Sequence, residues 1–223
     1  MKLTALFGMA VLSGLMTLAP LARAQDPAAP RQEPKPQESG SVYVLMKTTA
    51  GEFTLELNRD KAPVSTDNFL KYADKGFYNG TVFHRVMPTF MIQGGGYTPD
   101  MELKKPDAPI KNEWKNGLKN EAGTISMARL GGQPDSATSQ FFINVKNNPD
   151  LDKQQPDGAA YAVFGKVVDG MDTVNKIKSG ETKENPKMRN EKSLPLSPVV
   201  IEEVRRLKPD EEKALRDRLG PKS

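Results

Sequence analysis

The sequence predicts a mainly β fold, an antiparallel barrel that is closed or nearly closed and carries two helices. Short strand-like runs recur about eight times along the chain, whereas only two segments have a convincing helical pattern. The 223 residues include no cysteine, so the fold must be stabilised by its core and not by disulfides. With 37% hydrophobic and 27% charged residues, the composition is that of an ordinary globular domain.

The N-terminal segment, residues 1–24, has the pattern of a secretory signal peptide. Lys2 supplies a positive charge, residues 3–18 are apolar, and the sequence Ala-Arg-Ala ends at Ala24, where we expect cleavage. An uncleaved membrane anchor is the alternative, but about 16 apolar residues interrupted by glycines fall short of the roughly 20 that a spanning helix needs. We therefore expect a periplasmic or secreted protein that is not inserted in a membrane after cleavage.

The charge of the remaining chain is nearly balanced. Without Lys2 and Arg23, 30 basic residues face 28 acidic ones, and the two signs alternate along the sequence. This pattern indicates a solvated surface and argues against a nucleic-acid partner. Residues 25–40 contain four prolines and are predicted to form an extended linker, which either holds the domain off a surface or is an inert spacer.

Regular patterning begins after the linker with a predicted β-hairpin. Apolar residues alternate with polar ones from Val42 to Met46 and again from Phe53 to Leu57, and Gly51 lies in the turn between them. A helix follows, with Ser65 or Thr66 as the expected N-cap and Gly76 as the stop. Further strands are predicted at 81–86, 90–94, 123–128, 140–145, 161–168 and 198–204.

The C-terminal third contains the second helix and two peripheral segments. The helix is predicted to start near Asp172 and end at Gly180. Residues 181–197 are polar and are interpreted as a surface excursion. Residues 208–223 form a charged tail with a possible short helix, expected to be frayed or loosely docked because Leu215 and Leu219 are its only strong apolar anchors.

The single histidine, His84, does not predict a metal or catalytic site. No acidic residue lies near it in sequence, and strand alternation sends it to the face opposite Arg85. We expect a half-buried histidine with a hydrogen-bonded ring. A nucleophile-elbow serine motif is also missing from the sequence. The glycines at 94–96 are followed by no Lys-Ser/Thr phosphate-loop signature, and they are expected either to let the backbone bend or to admit close approach of another part of the chain.

Arg85 is the remaining candidate for chemistry. A chain reversal near Pro88 would bring Gln93 opposite Arg85, beside Phe90 and Met91. This patch offers hydrogen-bond donors and apolar walls, but no acid, base or nucleophile. From these residues alone, a surface arginine in a salt bridge is the simpler interpretation.

Four longer motifs change that interpretation. They occur in the order NFLKYADKGFYNGTVFHRVMPTFMIQGGG, NEWKNGLKNEAGTISMAR, DSATSQFFINV and YAVFGKVVDGMD. Together they resemble the cyclophilins, the family of peptidyl-prolyl cis-trans isomerases, over most of residues 41–206, and in particular its exported bacterial branch. The resemblance implies an eight-stranded antiparallel closed barrel capped by two α-helices in a domain at 41–207. It also implies an isomerase, acting without cofactor or metal, that assists the folding of exported proteins.

The resemblance also implies roles for individual residues. Arg85 matches the catalytic arginine, and Gln93 matches the residue that holds the substrate carbonyl side and orients that arginine. Phe90, Met91, Phe142 and Leu151 match the walls of the proline pocket. The peptide groove is matched by Ala128, Arg129 and Gln140, the first two through backbone hydrogen bonds, and Tyr161 stands as a polar rim donor where many members have histidine.

One departure concerns inhibition. Asp150 stands where drug-binding eukaryotic members carry a tryptophan, so we expect weak cyclosporin binding with catalysis retained. The expected partners are proline-containing segments of exported proteins. The protein itself is expected to be a monomer. Two alternatives stay open at this point: a proline-directed binding module or holdase chaperone with incidental turnover, and a β-barrel ligand carrier, which the bulky interior residues disfavour.

Overall fold

The structure is a computed structural model, and it describes residues 40–220. The predicted signal peptide and all of the predicted linker except Gly40 lie outside the described residues. The elements of the described part are β1 (Ser41–Thr48), β2 (Gly51–Asn58), α1 (Pro63–Asp74), β3 (Thr81–Val82), β4 (Arg85–Met87), β5 (Met91–Gly94), β6 (Thr124–Met127), β7 (Phe141–Asn144), a 3₁₀ helix (Pro149–Asp152), β8 (Val163–Asp169), α2 (Met171–Lys178), β9 (Thr182–Asn185), β10 (Glu191–Pro195), β11 (Val200–Arg206) and α3 (Pro209–Leu219).

Nine strands form one antiparallel sheet in the order β3-β11-β1-β2-β8-β6-β7-β5-β4. The two edge strands, β3 and β4, are consecutive in the chain and are separated only by Phe83 and His84. The sheet must therefore curl strongly to bring its edges together, and it forms a half-barrel. The mainly β, barrel-like fold is confirmed. The ninth strand arises because the predicted run 81–86 divides into β3 and β4, which share no ladder within the described residues.

The core fills the inside of this curled sheet. Phe69 of α1 contacts the rings of Tyr78, Phe141 and Phe164 at centroid distances of 4.9, 5.5 and 5.6 Å. All four side chains are fully buried. Burying this much aromatic surface stabilises α1 against the sheet and fills the interior with side chains. A large ligand cavity, the feature expected of a barrel carrier, does not fit this packing.

The start of α1 differs from its prediction. The helix begins at Pro63 with Ala62 as N-cap, so the expected cap at Ser65 or Thr66 is wrong. The carboxylate of Glu113 accepts hydrogen bonds from the backbone N–H groups of Val64 and Ser65 at 3.0 and 2.7 Å. Proline is well suited to the first helical position, and a distant acid satisfies the free N–H groups that a local cap would otherwise bind.

The two segments interpreted as peripheral are both ordered elements. β9 and β10 form an antiparallel hairpin within the predicted surface excursion, and this hairpin packs beside β4. The possible C-terminal helix is present as α3. Its Leu215 is 1% exposed, and Arg205 of β11 binds Glu211 through two hydrogen bonds of 2.6 and 2.8 Å. The helix is thus held more firmly than the expected loose docking. Between residues 40 and 220, no helix has the length and apolar character needed to cross a membrane.

Candidate active site

The turn between β4 and β5 places Arg85 directly opposite Gln93. The two strands pair antiparallel with Arg85 facing Gln93 and Met87 facing Met91. The N–H of Phe90 donates to the carbonyl of Met87 at 2.9 Å, closing the turn. The predicted reversal near Pro88 is therefore confirmed.

A pocket of about 270 Å³ opens beside this pair. It is lined by nine of the ten residues named from the sequence: Arg85, Phe90, Met91, Gln93, Ala128, Arg129, Phe142, Leu151 and Tyr161. The tenth, Gln140, lies next to the lining, because its Oε1 accepts a hydrogen bond of 3.1 Å from Nε2 of Gln93. The structure thus brings all ten together at one site.

Strand alternation determines which apolar side chains line the pocket. Phe142 of β7 pairs with Gln93 of β5 and lines the pocket, whereas its neighbour Phe141 is fully buried in the core. Met91 and Phe142 are 2% and 4% exposed, so their positions are fixed by close packing. The expectation that only one of the two phenylalanines lines the groove is confirmed.

Two glycines that directly follow β5 allow this packing. Gly95 has a φ of +83°, and a Cβ placed there would lie 2.8 Å from the ring of Phe141. A Cβ on Gly96 would lie 2.6 Å from the side chain of Gln140. These contacts confirm the predicted close approach and explain why the chain needs glycine beside the site.

Arg129 lines the pocket with its body, while its charged end is bound elsewhere. Nη1 donates to Asp157 at 2.6 Å, Nη2 donates to the carbonyl of Ala159 at 2.8 Å, and the guanidinium lies over the ring of Tyr161 at 4.6 Å. The hydrogen bond from Arg129 is the main reason that the pKa of Asp157 lies below its usual value. Arg129 therefore acts as a fixed wall, and Tyr161 packs edge-on against Phe142 at 5.8 Å.

One backbone group of the predicted peptide groove, the N–H of Ala128, is already hydrogen-bonded within the protein. The N–H of Ala128 donates to the carbonyl of Gln140 at 3.0 Å. A peptide that hydrogen-bonds to the backbone of Ala128 must therefore donate an N–H to the carbonyl of Ala128.

Buried asparagines support the far side of the pocket. Asn148 is 5% exposed, and its Nδ2 donates to the carbonyl of Phe90 at 2.9 Å and to Oδ1 of Asn144 at 2.7 Å. The carbonyl of Asn148 accepts the N–H of Leu151 at 2.9 Å. Asn148 thus connects the two walls that Phe90 and Leu151 form, through its side chain to Phe90 and through its backbone carbonyl to Leu151.

The charged partner of Arg85 was missed in the sequence. Nε and Nη2 of Arg85 donate to the two carboxylate oxygens of Glu191 at 2.8 and 2.9 Å. Glu191 lies 106 residues away in the segment predicted to be a surface excursion, and no local motif marks it. The salt bridge inferred from the residues alone is thus present, and the same arginine lines the pocket. Gln93, expected to orient the arginine, hydrogen-bonds Gln140.

His84 lies behind the site and is more buried than predicted. The side chain is fully buried, packed 4.6 Å from the ring of Tyr97, and neither ring nitrogen has a hydrogen-bond partner of good geometry within residues 40–220. The expected half-buried, hydrogen-bonded ring is therefore wrong. Its pKa is lowered to about 4, chiefly by burial and to a smaller extent by the charge of Arg85, while the backbone of Val82 acts in the opposite direction. A neutral ring facing the core takes no part in the pocket.

The described residues offer no cluster of three or more His, Asp or Glu side chains able to hold a metal ion. The pocket supplies one fixed cation, a side-chain amide and apolar walls. Such a set can bind a small apolar ring and donate a hydrogen bond to it, without any group placed to form a covalent intermediate.

Known proteins resemble this chain in sequence and in overall structure. Residues 43–206 match the family described as cyclophilin type peptidyl-prolyl cis-trans isomerase/CLD. The chain is 51% identical over 168 residues to peptidyl-prolyl cis-trans isomerase A of Dickeya dadantii, covering 75% of this chain and 86% of that protein. It is 47% identical over 163 residues to peptidyl-prolyl cis-trans isomerase B of Escherichia coli, covering 72% and 97%.

A solved structure shows the same likeness in three dimensions. The crystal structure of a cyclophilin type peptidyl-prolyl cis-trans isomerase from Cryptosporidium parvum, in the presence of the dipeptide Ala-Pro, is similar with a TM-score of 0.63. The sequences are 27% identical, and the alignment covers 74% of this chain and 99% of that one.

Proposed function

The chain belongs to the cyclophilin family and is a peptidyl-prolyl cis-trans isomerase; we propose that Arg85 carries its reaction by stabilising the twisted X-Pro bond of polypeptides. The observation that supports this mechanism is the position of a permanent cation in the lining of a pocket that also has apolar walls, formed by Phe90, Met91, Phe142 and Leu151. The pocket has the size and the character to take a proline ring, and Arg85 borders it.

The chemistry follows from the resistance of the imide to rotation. Resonance between the nitrogen lone pair and the carbonyl creates a barrier near 18 to 20 kcal/mol, and no covalent bond needs to break. As the bond twists, the lone pair localises on the proline nitrogen and becomes a hydrogen-bond acceptor. A donor at that place binds the twisted state more strongly than the planar one, which lowers the barrier.

Arg85 is suited to this role by its charge and by the N–H groups left to it. Its guanidinium stays protonated at any working pH. Glu191 occupies Nε and one hydrogen of Nη2, so the two hydrogens of Nη1 and the second hydrogen of Nη2 remain as donors for the pocket. Lowering the barrier by about 7 kcal/mol gives roughly a 10⁵-fold acceleration, a size that one oriented donor in a dry site helps to supply.

The walls hold the ring and the chain on either side of it. Phe90, Met91, Phe142 and Leu151 surround the proline ring, whose burial is worth about 1.5 to 3 kcal/mol. Gln93 holds the substrate carbonyl side. The peptide runs along Ala128, Arg129 and Gln140, with Tyr161 at the rim.

A further part of the proposal concerns where the protein acts and which proteins it acts on. We infer from residues 1–24 that the protein is periplasmic or secreted, and that a monomer assists the folding of exported proteins at their slow X-Pro steps. A cleavage assay in a bacterial host tests this: a mature N-terminus at Gln25 in the periplasm or the medium supports it, whereas an uncleaved cytoplasmic protein contradicts it.

The mechanism is tested by cis-trans exchange of a short Ala-Pro peptide, measured by NMR from about pH 5 to 9 with wild type, Arg85→Ala and Arg85→Lys. We expect fast exchange that is nearly flat with pH in wild type and lower by about 10² or more in both variants. Arg218→Ala is the control, because that arginine is 67% exposed in a surface ion pair and should change nothing.

Two results would contradict the mechanism. If Arg85→Ala keeps wild-type exchange, the arginine is not the catalytic donor. If wild type binds the peptide without accelerating exchange, the groove belongs to a binding module or holdase chaperone.

A further inference from the structure

We propose that Glu191 is a positioning residue for Arg85: its carboxylate fixes the guanidinium so that Nη1 is presented to the proline pocket. This inference rests on the proposed role of Arg85. Glu191 belongs to the β9–β10 hairpin, outside the pocket lining. It acts through the arginine and does not touch the substrate.

The first argument is the geometry of the ion pair. The two oxygens of Glu191 bind Nε and Nη2 of Arg85 at 2.8 and 2.9 Å, which is the two-bond arrangement that fixes the plane of a guanidinium. A single hydrogen bond would leave the group free to rotate. Within residues 40–220, Nη1 of Arg85 has no hydrogen-bond partner, so the pairing leaves the Nη1 edge of the guanidinium in a fixed direction with its hydrogens free to donate.

The second argument is the way the hairpin is attached. Asn185, at the end of β9, is fully buried, and its Nδ2 donates to the carbonyl of His84 at 2.8 Å. Glu191 pairs with Asn185 across the hairpin. Two neighbouring residues of the hairpin therefore bind two neighbouring residues of the chain, Asn185 with His84 and Glu191 with Arg85. The carboxylate is held at a fixed place relative to the backbone of the arginine.

The third argument is backbone strain just before Glu191. Arg189 and Asn190 have φ values of 52° and 59°, the left-handed region that non-glycine residues rarely adopt. The carbonyl of Asn185 accepts the N–H groups of Met188 and Asn190 at 2.9 and 3.0 Å, which holds this turn. Strained backbone persists where surrounding contacts impose it, and here the constrained turn immediately precedes the residue that pairs with Arg85.

The charge of Glu191 also suits a positioning role. The hydrogen bond from Arg85 is the main reason that its pKa lies below the usual value, with a smaller contribution from Ser193. The carboxylate thus stays ionised at neutral pH. It offsets part of the charge of Arg85, but the twisted imide nitrogen is a neutral acceptor, for which the direction of the donor matters more than net charge.

The test compares Glu191→Ala, which removes the pair, with Glu191→Gln, which keeps the shape and one acceptor. Exchange of the Ala-Pro peptide at saturation should fall by about tenfold or more in Glu191→Ala and by less in Glu191→Gln, since a misplaced catalytic group lowers the rate steeply. Peptide affinity from NMR titration should be unchanged. Glu184→Ala is the matched control, an exposed acid of the same hairpin without an ion pair among the described residues.

A double-mutant cycle separates positioning from simple support of the fold. In an Arg85→Ala background, adding Glu191→Ala should cause no further loss, because the carboxylate acts only through the arginine. The Nε–H resonance of Arg85 should also lose its protection from solvent exchange in Glu191→Ala.

Three outcomes would overturn the inference. The first is an exchange rate in Glu191→Ala equal to that of wild type. The second is a faster rate in Glu191→Ala, which would mean that the carboxylate holds the arginine away from the substrate. The third is an equal loss of exchange rate when Glu191→Ala is added to wild type and to Arg85→Ala. Each leaves the role of Arg85 intact if Arg85→Ala is inactive. Full activity of Arg85→Ala would instead remove the proposed mechanism itself.

Discussion

Arg129 and Asp157 form an almost inaccessible ion pair at the side of the proline pocket, with 2% and 8% of their side chains exposed and 2.6 Å between Nη1 and Oδ2. Oδ2 of Asp157 also accepts the N–H of Gly132 at 3.0 Å, so this carboxylate joins the loop that contains Gly132 to the pocket wall. We predict that Asp157→Asn lowers the thermal unfolding midpoint by several degrees and raises the KM for the Ala-Pro peptide, because Arg129 loses its charged partner and the wall loosens.

The control for this prediction is Asp217→Asn, which breaks a pair whose partners are 78% and 67% exposed. Exposed pairs contribute little to stability, so this variant should match wild type in both measurements. Equal effects of the two substitutions would mean that burial of the Arg129–Asp157 pair has no special importance.

The stability of the protein should fall in mild acid because of His84. The pKa of His84 is about 4 in the folded protein, whereas an unburied histidine, as in the unfolded chain, has a pKa of 6.5. The unfolded chain therefore binds the proton first as the pH falls. Stability is therefore unaffected by this group above about pH 6.5 and declines between there and pH 4, by about 3 kcal/mol in total. Urea unfolding at pH 7 and pH 4 measures the change.

His84→Phe isolates this contribution, because the new ring fills similar space and cannot be protonated. The loss of stability between pH 7 and pH 4 should be smaller in the variant than in wild type by about 3 kcal/mol, since all carboxylates remain common to both. Identical losses would show that His84 finds a partner for its proton in the folded state. Catalytic exchange at pH 7 should persist in the variant, because the ring faces the core.

The parts of the site that the sequence predicted are those within one strand or one turn of each other. Alternation along β7 separates Phe142 from Phe141, and the reversal after β4 sets Gln93 against Arg85. These relationships follow from the period of two in a strand and from a short loop. The long motifs then located the remaining wall residues by resemblance.

The parts that could not be predicted depend on contacts between distant segments. Glu191 reaches Arg85 from a polar stretch without a distinguishing pattern. Glu113 lies in one of the long motifs, but nothing in that motif indicates that its carboxylate caps α1 from 48 residues away. The burial of His84 depends on how far the sheet curls, which alternation does not determine. In α3, Leu215 and Leu219 look equivalent in sequence and differ only in what they face.

This difference within α3 gives a matched pair of substitutions. Leu215 is 1% exposed, whereas Leu219 is 47% exposed. We predict that Leu215→Ala lowers the free energy of unfolding by about 2 kcal/mol or more, and that Leu219→Ala changes it little. Urea unfolding compares the two variants. Peptide exchange should be unchanged in both, because α3 contributes no residue to the pocket lining. Equal, small effects would mean that α3 docks weakly after all.

The response to cyclosporin should depend on Asp150, at the rim beside Leu151. Its side chain is 87% exposed and paired with Lys153 at 2.8 Å, so it presents a solvated charge where a large apolar surface is needed to bind an apolar macrocycle. We predict weak inhibition of the wild type, and inhibition stronger by about tenfold or more in Asp150→Trp, since a buried indole is among the most effective contacts at an interface. Inhibition of Ala-Pro exchange measures both, and uninhibited exchange should stay at the wild-type rate. Asp150→Ala removes the charge without adding the ring, so an equal gain in that variant would show that the carboxylate repels the drug. If Asp150→Trp is active but no more sensitive than wild type, another part of the groove must exclude the macrocycle.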